Sequence, residues 1–222
     1  MIRAVIFDVD GTLVNFTFDV VGTRAALIAE LERRGYSTSD LTTTTLTQVI
    51  LDSAREQIDS GLVKDDYEKL RTRFYSMLDK FEMDSLRDAK PLEGILKTLE
   101  ELRRSSLRLG VLTNSGKAGA TQVLKKGGLL NEFELILTRD DVPAMKPRPD
   151  GILKALNLLS ISRDELLFVG DSVVDVKAAR AAGVRVATVA TGTYGVERLR
   201  AERPDLIMEA LSELPALIRG LR

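Results

Sequence analysis

The sequence predicts an α/β fold in which a parallel sheet carries helices on both faces and a block of helices is inserted after the first strand. The first observation is an uninterrupted apolar run at 4–7, typical of a strand that is buried on both faces. The second is the alternation of helical patterns with short apolar segments from Pro91 onward, which indicates parallel strands joined by crossover helices. The third is the stretch from about 16 to 87, which shows helical spacing and no strand pattern.

Three helices are predicted in the inserted block. The first carries apolar residues at helical spacing over 20–31 and is expected to stop at Gly35, which can adopt the left-handed conformation of a helix C-terminus. The second contains 46–50, and the threonine-rich run 42–45 is expected to cap it. The third spans about 65–83 and places several aromatic and aliphatic side chains on one side.

Beyond the inserted block, helices and strands alternate regularly. Helices are predicted at 92–104, 117–127, 149–159 and 173–182, with a final helix at the end of the chain. Strands are predicted at 107–112, 135–137, 166–169, 185–189 and 206–208. In sheets of this kind ligands bind beyond the carboxyl ends of the strands, so the residues that follow each strand are the candidates for a functional site.

Composition excludes several kinds of catalysis. The 222 residues include no His and no Cys. Catalytic systems of the Ser-His-Asp and Cys-His types are therefore excluded, as are disulfides and zinc sites built on imidazole or thiolate. Carboxylates, Lys, Arg, hydroxyls and backbone amides remain, and oxygen ligands favour a hard cation such as Mg²⁺.

Charge and hydropathy restrict the partners. The net charge of −1 arises from 32 basic and 33 acidic residues that are well mixed, so no nucleic-acid surface and no polybasic membrane patch is expected. No segment approaches the roughly 20 apolar residues of a membrane span. The strand at 4–7 leaves no room for a signal peptide. We therefore expect a cytoplasmic protein, monomeric or homodimeric, whose partner is a small molecule.

Four strand ends carry polar side chains of related chemistry. Residues 8–12, Asp-Val-Asp-Gly-Thr, follow the first strand. Side chains two apart on a strand share a face, so Asp8 and Asp10 are expected to project towards one point, where paired carboxylates need a cation or a raised pKa. The other strand ends present Thr113 with Asn114, Lys146, and Asp171 with Asp175.

Each of these residues also has an ordinary structural explanation. Thr113 and Asn114 suit a helix N-cap, and so does Asp171. Asp175 suits the first turn of a helix, and a lone Lys146 would most often be solvated. Their combination, in this order and at predicted strand ends, favours a shared functional site.

The four segments together resemble the four motifs of the haloacid dehalogenase-like (HAD) phosphohydrolase superfamily. The first motif matches 8–12, the second matches Thr113 with Asn114, the third matches Lys146 and the fourth matches 170–175. All four occur in the family's order. The general resemblance is greatest to phosphoglycolate phosphatase-like members.

The resemblance also implies a division of the chain. Residues 1–15 with 88–222 would form a Rossmann-like parallel-sheet core, and residues 16–87 would form a helical cap of the C1 type. Arg24, Arg33 and Arg34 are then candidates for binding a carboxylate on the substrate.

The resemblance implies a role for each carboxylate. Asp8 would be the nucleophile that forms an aspartyl-phosphate, and Asp10 would be the general acid and then the base that activates water. Mg²⁺ would be held by the Asp8 carboxylate, the Asp10 backbone carbonyl and Asp171. Thr12 and Asp175 would contact these groups and hold them in place without binding the metal themselves.

The same resemblance implies how phosphate is bound. Thr113 and the backbone amide of Asn114 would hold phosphate oxygens. Lys146 would neutralise both Asp8 and the phosphate, which offsets the repulsion between a carboxylate and a phosphate dianion.

The implied function is Mg²⁺-dependent hydrolysis of a small phosphorylated metabolite, with phosphoglycolate as one possibility. Two alternatives stay open: a phosphomutase of the beta-phosphoglucomutase type, and a non-catalytic phosphate-binding regulatory protein. Thr12 stands where those mutases usually carry an apolar residue, and the chain lacks the His that their cap uses, so hydrolysis is favoured. Asp10 favours an enzyme, since a binding protein needs no proton donor.

Overall fold

The computed structural model describes residues 1–15, 18–86, 89–192 and 195–220. The chain divides into two compact units, one formed by Met1–Thr17 with Asp88–Arg222 and the other by Phe18–Arg87. We call these the core unit and the helical unit. Positions 16, 17, 87 and 88, where the predicted domain boundaries fall, lie outside the described residues. None of the helices within the described ranges is long and apolar enough to cross a membrane.

The core unit contains the strands, and their order confirms the predicted α/β class. They are β1 (Ala4–Phe7), β2 (Val14–Asn15), β3 (Lys90–Pro91), β4 (Arg108–Leu112), β5 (Leu135–Leu137), β6 (Leu166–Gly170), β7 (Arg185–Val189) and β8 (Leu206–Met208). A six-stranded parallel sheet has the order β5-β4-β1-β6-β7-β8. The direction of winding changes between β1 and β6, which is where ligands bind in open sheets of this topology.

The helices divide between the two units. The helical unit holds α1 (Val20–Arg33), α2 (Thr47–Asp59) and α3 (Tyr67–Ser85). The core unit holds α4 (Ile95–Arg104), α5 (Lys117–Lys126), α6 (Asp150–Leu159), α7 (Val173–Ala182), α8 (Val196–Ala201) and α9 (Leu214–Gly220). The predicted alternation from Pro91 onward is thus present, whereas α8 was not predicted.

The register of the central strands determines where the polar strand ends meet. Phe7 is paired with Val111 of β4 on one side and with Val169 of β6 on the other. All residues of β1 and β6 are buried, as continuous apolar runs predict. The chain positions that follow these three strands therefore emerge at one level, on one edge of the sheet.

Two predicted local features are wrong. The threonine run 42–45 does not cap α2: Leu46 occupies the N-cap position without a side-chain hydrogen bond, and the Thr45 amide donates instead to the Thr42 carbonyl. The helix expected from 92 begins at Ile95. The reason is that β3 pairs with β2 in an antiparallel ribbon just before it, which the sequence pattern did not show.

The helical unit packs its three helices around apolar side chains and also buries the carboxylate of Glu30. Glu30 is 5% exposed and accepts hydrogen bonds from Arg34 at 3.1 Å and from Arg73 at 3.0 Å, and it also pairs with Arg33. The Arg24 guanidinium donates to the Thr43 carbonyl at 3.2 Å. The arginines considered for substrate binding thus have partners within this unit.

Candidate active site

The turn after β1 brings Asp8 into the site and then reverses the chain. The Asp8 amide continues the ladder by donating to the Val169 carbonyl at 2.8 Å, and the Asp8 side chain is buried. Gly11 has φ +80°, and its amide donates to the Val14 carbonyl at 2.8 Å. A Cβ at Gly11 would overlap the Asp171 carboxylate, so glycine is needed for both the turn and the close approach.

Lys146 lies between two carboxylates. Its Nζ is 2.8 Å from Asp8 Oδ1 and 2.7 Å from Asp175 Oδ1. The side chain is buried, and the Phe168 ring centroid lies 5.4 Å from Nζ. One ammonium therefore partly neutralises two carboxylates in a place where water cannot do so.

Asp175 is held in place by the first turn of α7. Its Oδ2 accepts from the Ser172 amide at 3.0 Å and from the Ser172 hydroxyl at 2.5 Å, while its Oδ1 binds Lys146. Asp175 therefore combines two predicted roles. Through its Oδ2 it serves as an acid in the first turn of a helix, and through its Oδ1 it contacts Lys146 in the candidate site. Asp8, Asp171 and Asp175 are all buried, and each offers an oxygen within 4.8 Å of those of the other two.

Asp171 is enclosed by backbone and hydroxyl groups. Thr12 Oγ1 donates to Asp171 Oδ1 at 3.3 Å. From the loop after β7, Gly192 approaches so closely that a Cβ there would overlap the Asp171 carboxylate. Its neighbour Thr191 donates through its hydroxyl to the Gly11 carbonyl at 2.7 Å. This loop was not among the predicted parts of the site.

Asp10 and Thr113 are connected through Ser115. The Ser115 hydroxyl donates to Asp10 Oδ2 at 2.8 Å, and the Ser115 amide donates to Thr113 Oγ1 at 3.0 Å. Thr113 extends β4 by one residue, since its amide donates to the Leu137 carbonyl at 3.0 Å. Ser115 was missed as a site residue, although its position beside the second motif could have indicated it.

Burial dominates the electrostatics of the carboxylates. It raises the pKa of Asp8 well above its usual range, against the opposing effect of Lys146. Burial, with the Asp175 charge adding to it, also raises the pKa of Asp171 to about 7. For Lys146, burial alone would lower the pKa, but Asp175 and Asp8 outweigh it and the pKa lies above its ordinary value.

These shifts predict how the metal-free protein responds to pH. The pKa of Asp171 is about 7 in the fold, against about 3.9 for an exposed Asp, so the folded state binds this proton more tightly than the unfolded state. The stabilisation is complete below about pH 4 and is lost as the pH rises through about 7. We expect the melting temperature in EDTA, followed by circular dichroism, to fall between pH 5.5 and pH 8.

The same experiment includes its control. The pKa of Glu165 is lowered to about 2, so its contribution to the free energy of unfolding changes only at lower pH. It does not affect the melting temperature between pH 5.5 and pH 8. Asp171→Asn should make the fall in melting temperature smaller without abolishing it, because burial also raises the pKa of Asp8 and of Asp10. A wild-type melting temperature that rises from pH 5.5 to pH 8 would contradict the conclusion that burial raises the pKa of Asp171.

The geometry defines a class of protein: a parallel-sheet enzyme whose strand ends gather carboxylates, a hydroxyl and a buried lysine. A family model described as "Haloacid dehalogenase-like hydrolase" matches residues 5–189, which is most of the chain. The chain therefore belongs to the haloacid dehalogenase-like hydrolase family. The predicted family and the predicted enzyme class, a phosphatase of this family, are confirmed.

Individual relatives agree with this membership. The chain is 31% identical over 195 residues to the N-acetylmuramic acid 6-phosphate phosphatase of Pseudomonas putida, covering 86% of this chain and 84% of the relative. It is 31% identical over 225 residues to the plasmid phosphoglycolate phosphatase of Cupriavidus necator, covering 99% and 94%. The crystal structure of a hydrolase from Pseudomonas syringae superposes with a TM-score of 0.66 at 26% identity, covering 99% of each chain.

Proposed function

We propose that the protein is a Mg²⁺-dependent phosphomonoester hydrolase that acts on a small phosphorylated metabolite through an aspartyl-phosphate on Asp8. The main support is the placement of Asp8 at the switch point of the sheet, with the Lys146 ammonium 2.8 Å from its Oδ1. A carboxylate held beside a buried cation can approach a phosphate dianion that would otherwise repel it.

The donor set fits a divalent cation of the Mg²⁺ type. Asp8, Asp171 and Asp175 are buried carboxylates, and burial raises the pKa of both Asp8 and Asp171, which means that their charges lack full compensation. Asp175 already binds Lys146 and Ser172 through both oxygens. Asp8 and Asp171 are therefore the carboxylates that would hold the metal, and Asp10 would contribute its backbone carbonyl. When bound, Mg²⁺ would neutralise charge on the phosphoryl group.

Asp8 and Asp10 divide the chemical steps. An Asp8 oxygen attacks phosphorus, the bond to the leaving oxygen breaks, and the Asp10 carboxyl gives that oxygen its proton. Asp10 then takes a proton from water, which attacks the aspartyl-phosphate and releases inorganic phosphate. Burial raises the pKa of Asp10, which favours the protonated form that the first step needs.

The end of β4 and Lys146 bind the transferred group. Thr113 Oγ1 accepts from the Ser115 amide, and its own hydroxyl hydrogen would donate to a phosphate oxygen. The backbone amide of Asn114 and the Lys146 ammonium would supply further donors to the phosphate. Such fixed donors stabilise charge in the transition state without reorganisation.

Substrate choice is assigned to the helical unit, which we propose to be the cap of residues 16–87. Phosphoglycolate is the first substrate to test, since one of the relatives is a phosphoglycolate phosphatase. N-acetylmuramic acid 6-phosphate is the second, because another relative acts on it. The test is a panel of metabolite phosphates, including hexose 1-phosphates, assayed for released phosphate. A mutase would convert the hexose 1-phosphate to the 6-phosphate with little release.

Metal dependence can be tested directly. EDTA should abolish the hydrolysis of p-nitrophenyl phosphate and Mg²⁺ should restore it, because the site offers oxygen ligands only. Ca²⁺ should fail to restore activity, since its larger and looser coordination sphere disturbs in-line geometry. The measurement is the initial rate after exhaustive chelation and re-addition of each metal, with Asp8→Asn as background control. Full activity in the chelated protein would rule out the metal assignment.

A further inference from the structure

Among the residues that the structure describes, Arg139 is the largest that is fully buried. It begins the short helical turn Arg139–Asp141 that follows β5. Arginine is rarely fully buried, because a permanently charged guanidinium that leaves water must be compensated by close polar partners. The partners of Arg139 therefore indicate why the charge is there.

Arg139 holds the two residues that follow Thr113. Its Nη1 donates to the Asn114 carbonyl at 3.0 Å, and its backbone amide donates to the Ser115 carbonyl at 3.3 Å. The first bond depends on the guanidinium and the second does not. A substitution of the Arg139 side chain thus removes support from Asn114 while the backbone bond to Ser115 can remain.

The Asn114 side chain passes this support on to Lys146. Asn114 Nδ2 donates to the Lys146 carbonyl at 2.9 Å, and Asn114 Oδ1 accepts from the Lys146 amide at 2.9 Å. Two bonds from one planar amide fix both the position and the rotation of the Lys146 backbone. The Lys146 ammonium then lies 2.8 Å from Asp8.

We propose that Arg139 is a positioning residue for the phosphatase reaction: its guanidinium orients the Asn114 peptide, and the Asn114 side chain sets the Lys146 backbone so that the ammonium reaches Asp8. This inference rests on the proposed roles of Asp8 and Lys146. Displacing a reacting group by about 1 Å can lower the rate by roughly 100-fold, so a remote support of this kind has a measurable effect.

The test is a double-mutant cycle with p-nitrophenyl phosphate. Arg139→Met should lower kcat by about 10- to 100-fold with little change in KM, and Arg139→Lys should retain more of the activity. Asn114→Ala should lower kcat to a similar degree. The Arg139→Met/Asn114→Ala protein should be no slower than the slower single variant, because both substitutions break one path.

A matched control separates positioning from stability. Leu99→Ala removes a fully buried apolar side chain of α4, and it should lower the melting temperature while leaving kcat unchanged. A folded Arg139→Met with the wild-type kcat would overturn the inference, and so would losses that multiply in the double variant. If Arg139→Met does not fold, the same cycle is measured with Arg139→Lys. The double variant should again be no slower than the slower single variant. Failure of the proposed function would show differently, as a wild-type protein without Mg²⁺-dependent turnover.

Discussion

Asp8→Asn should lower kcat by at least about 1,000-fold, as expected when a covalent nucleophile is removed. An amide cannot attack phosphorus and is a poor ligand for Mg²⁺. The same substitution should raise the melting temperature of the metal-free protein. The reason is that burial already raises the pKa of Asp8 well above its usual range, so replacing the carboxyl by a neutral amide removes an unfavourable buried charge.

Lost turnover together with a higher melting temperature would distinguish removal of the nucleophile from loss of the fold. Release of nitrophenolate gives kcat, and thermal unfolding in EDTA gives the stability of the same sample. Asp164→Asn is a suitable control, because Asp164 is an exposed carboxylate of the core unit. Ordinary turnover in a purified Asp8→Asn protein would reject the covalent mechanism.

Lys146→Met should damage both activity and stability. Removing one partner of a buried ion pair typically costs about 3–5 kcal/mol, and here it leaves Asp8 and Asp175 without the ammonium that both bind. Loss of a charged donor to the transition state should lower kcat by about 100- to 1,000-fold. Part of the stability should return at pH 5.5, because burial raises the pKa of Asp8 and protonation then removes its unpaired charge.

Lys177→Met provides the matched control for this change. Lys177 is an exposed residue of α7, 3.7 Å from Glu202, and a surface pair of this kind contributes at most about 1 kcal/mol. The measurements are kcat with p-nitrophenyl phosphate and denaturant unfolding at pH 5.5 and pH 8. A folded Lys146→Met protein with the wild-type kcat would show that the ammonium plays no part in the reaction.

The sheet was predictable because its strands are short apolar runs with clear boundaries. Each run ends in residues of a different type, and parallel strands bring their carboxyl ends to one edge. The sequence alone therefore predicts that Asp8 and Asp171 lie near each other. The ribbon of β2 and β3 could not be predicted, because strands of two residues show no periodicity and their pairing joins distant parts of the chain.

The supporting residues were harder to predict for a different reason. Arg139 belongs to no motif and Ser115 only stands next to one, and the effect of both depends on contacts between separate strand ends. The residue type gives no indication of a buried position for Arg139, since arginine is normally exposed. The loop at Gly192 contacts Asp171 through backbone proximity alone, which leaves no pattern in the side chains. Motifs in the sequence indicate the proposed reacting groups, whereas the residues that hold those groups in place become visible only in the assembled fold.

Trapping the phosphorylated enzyme tests the central claim most directly. Asp10→Asn removes the base needed for the second step, and p-nitrophenyl phosphate does not require the acid in the first step because its leaving group needs no proton. After mixing this variant with the substrate and Mg²⁺ and quenching in acid, mass spectrometry of the peptides should find one phosphoryl group on Asp8, absent from the Asp8→Asn/Asp10→Asn protein. A burst of nitrophenolate with Asp8 unmodified, or with the phosphoryl group on another residue, would contradict the account.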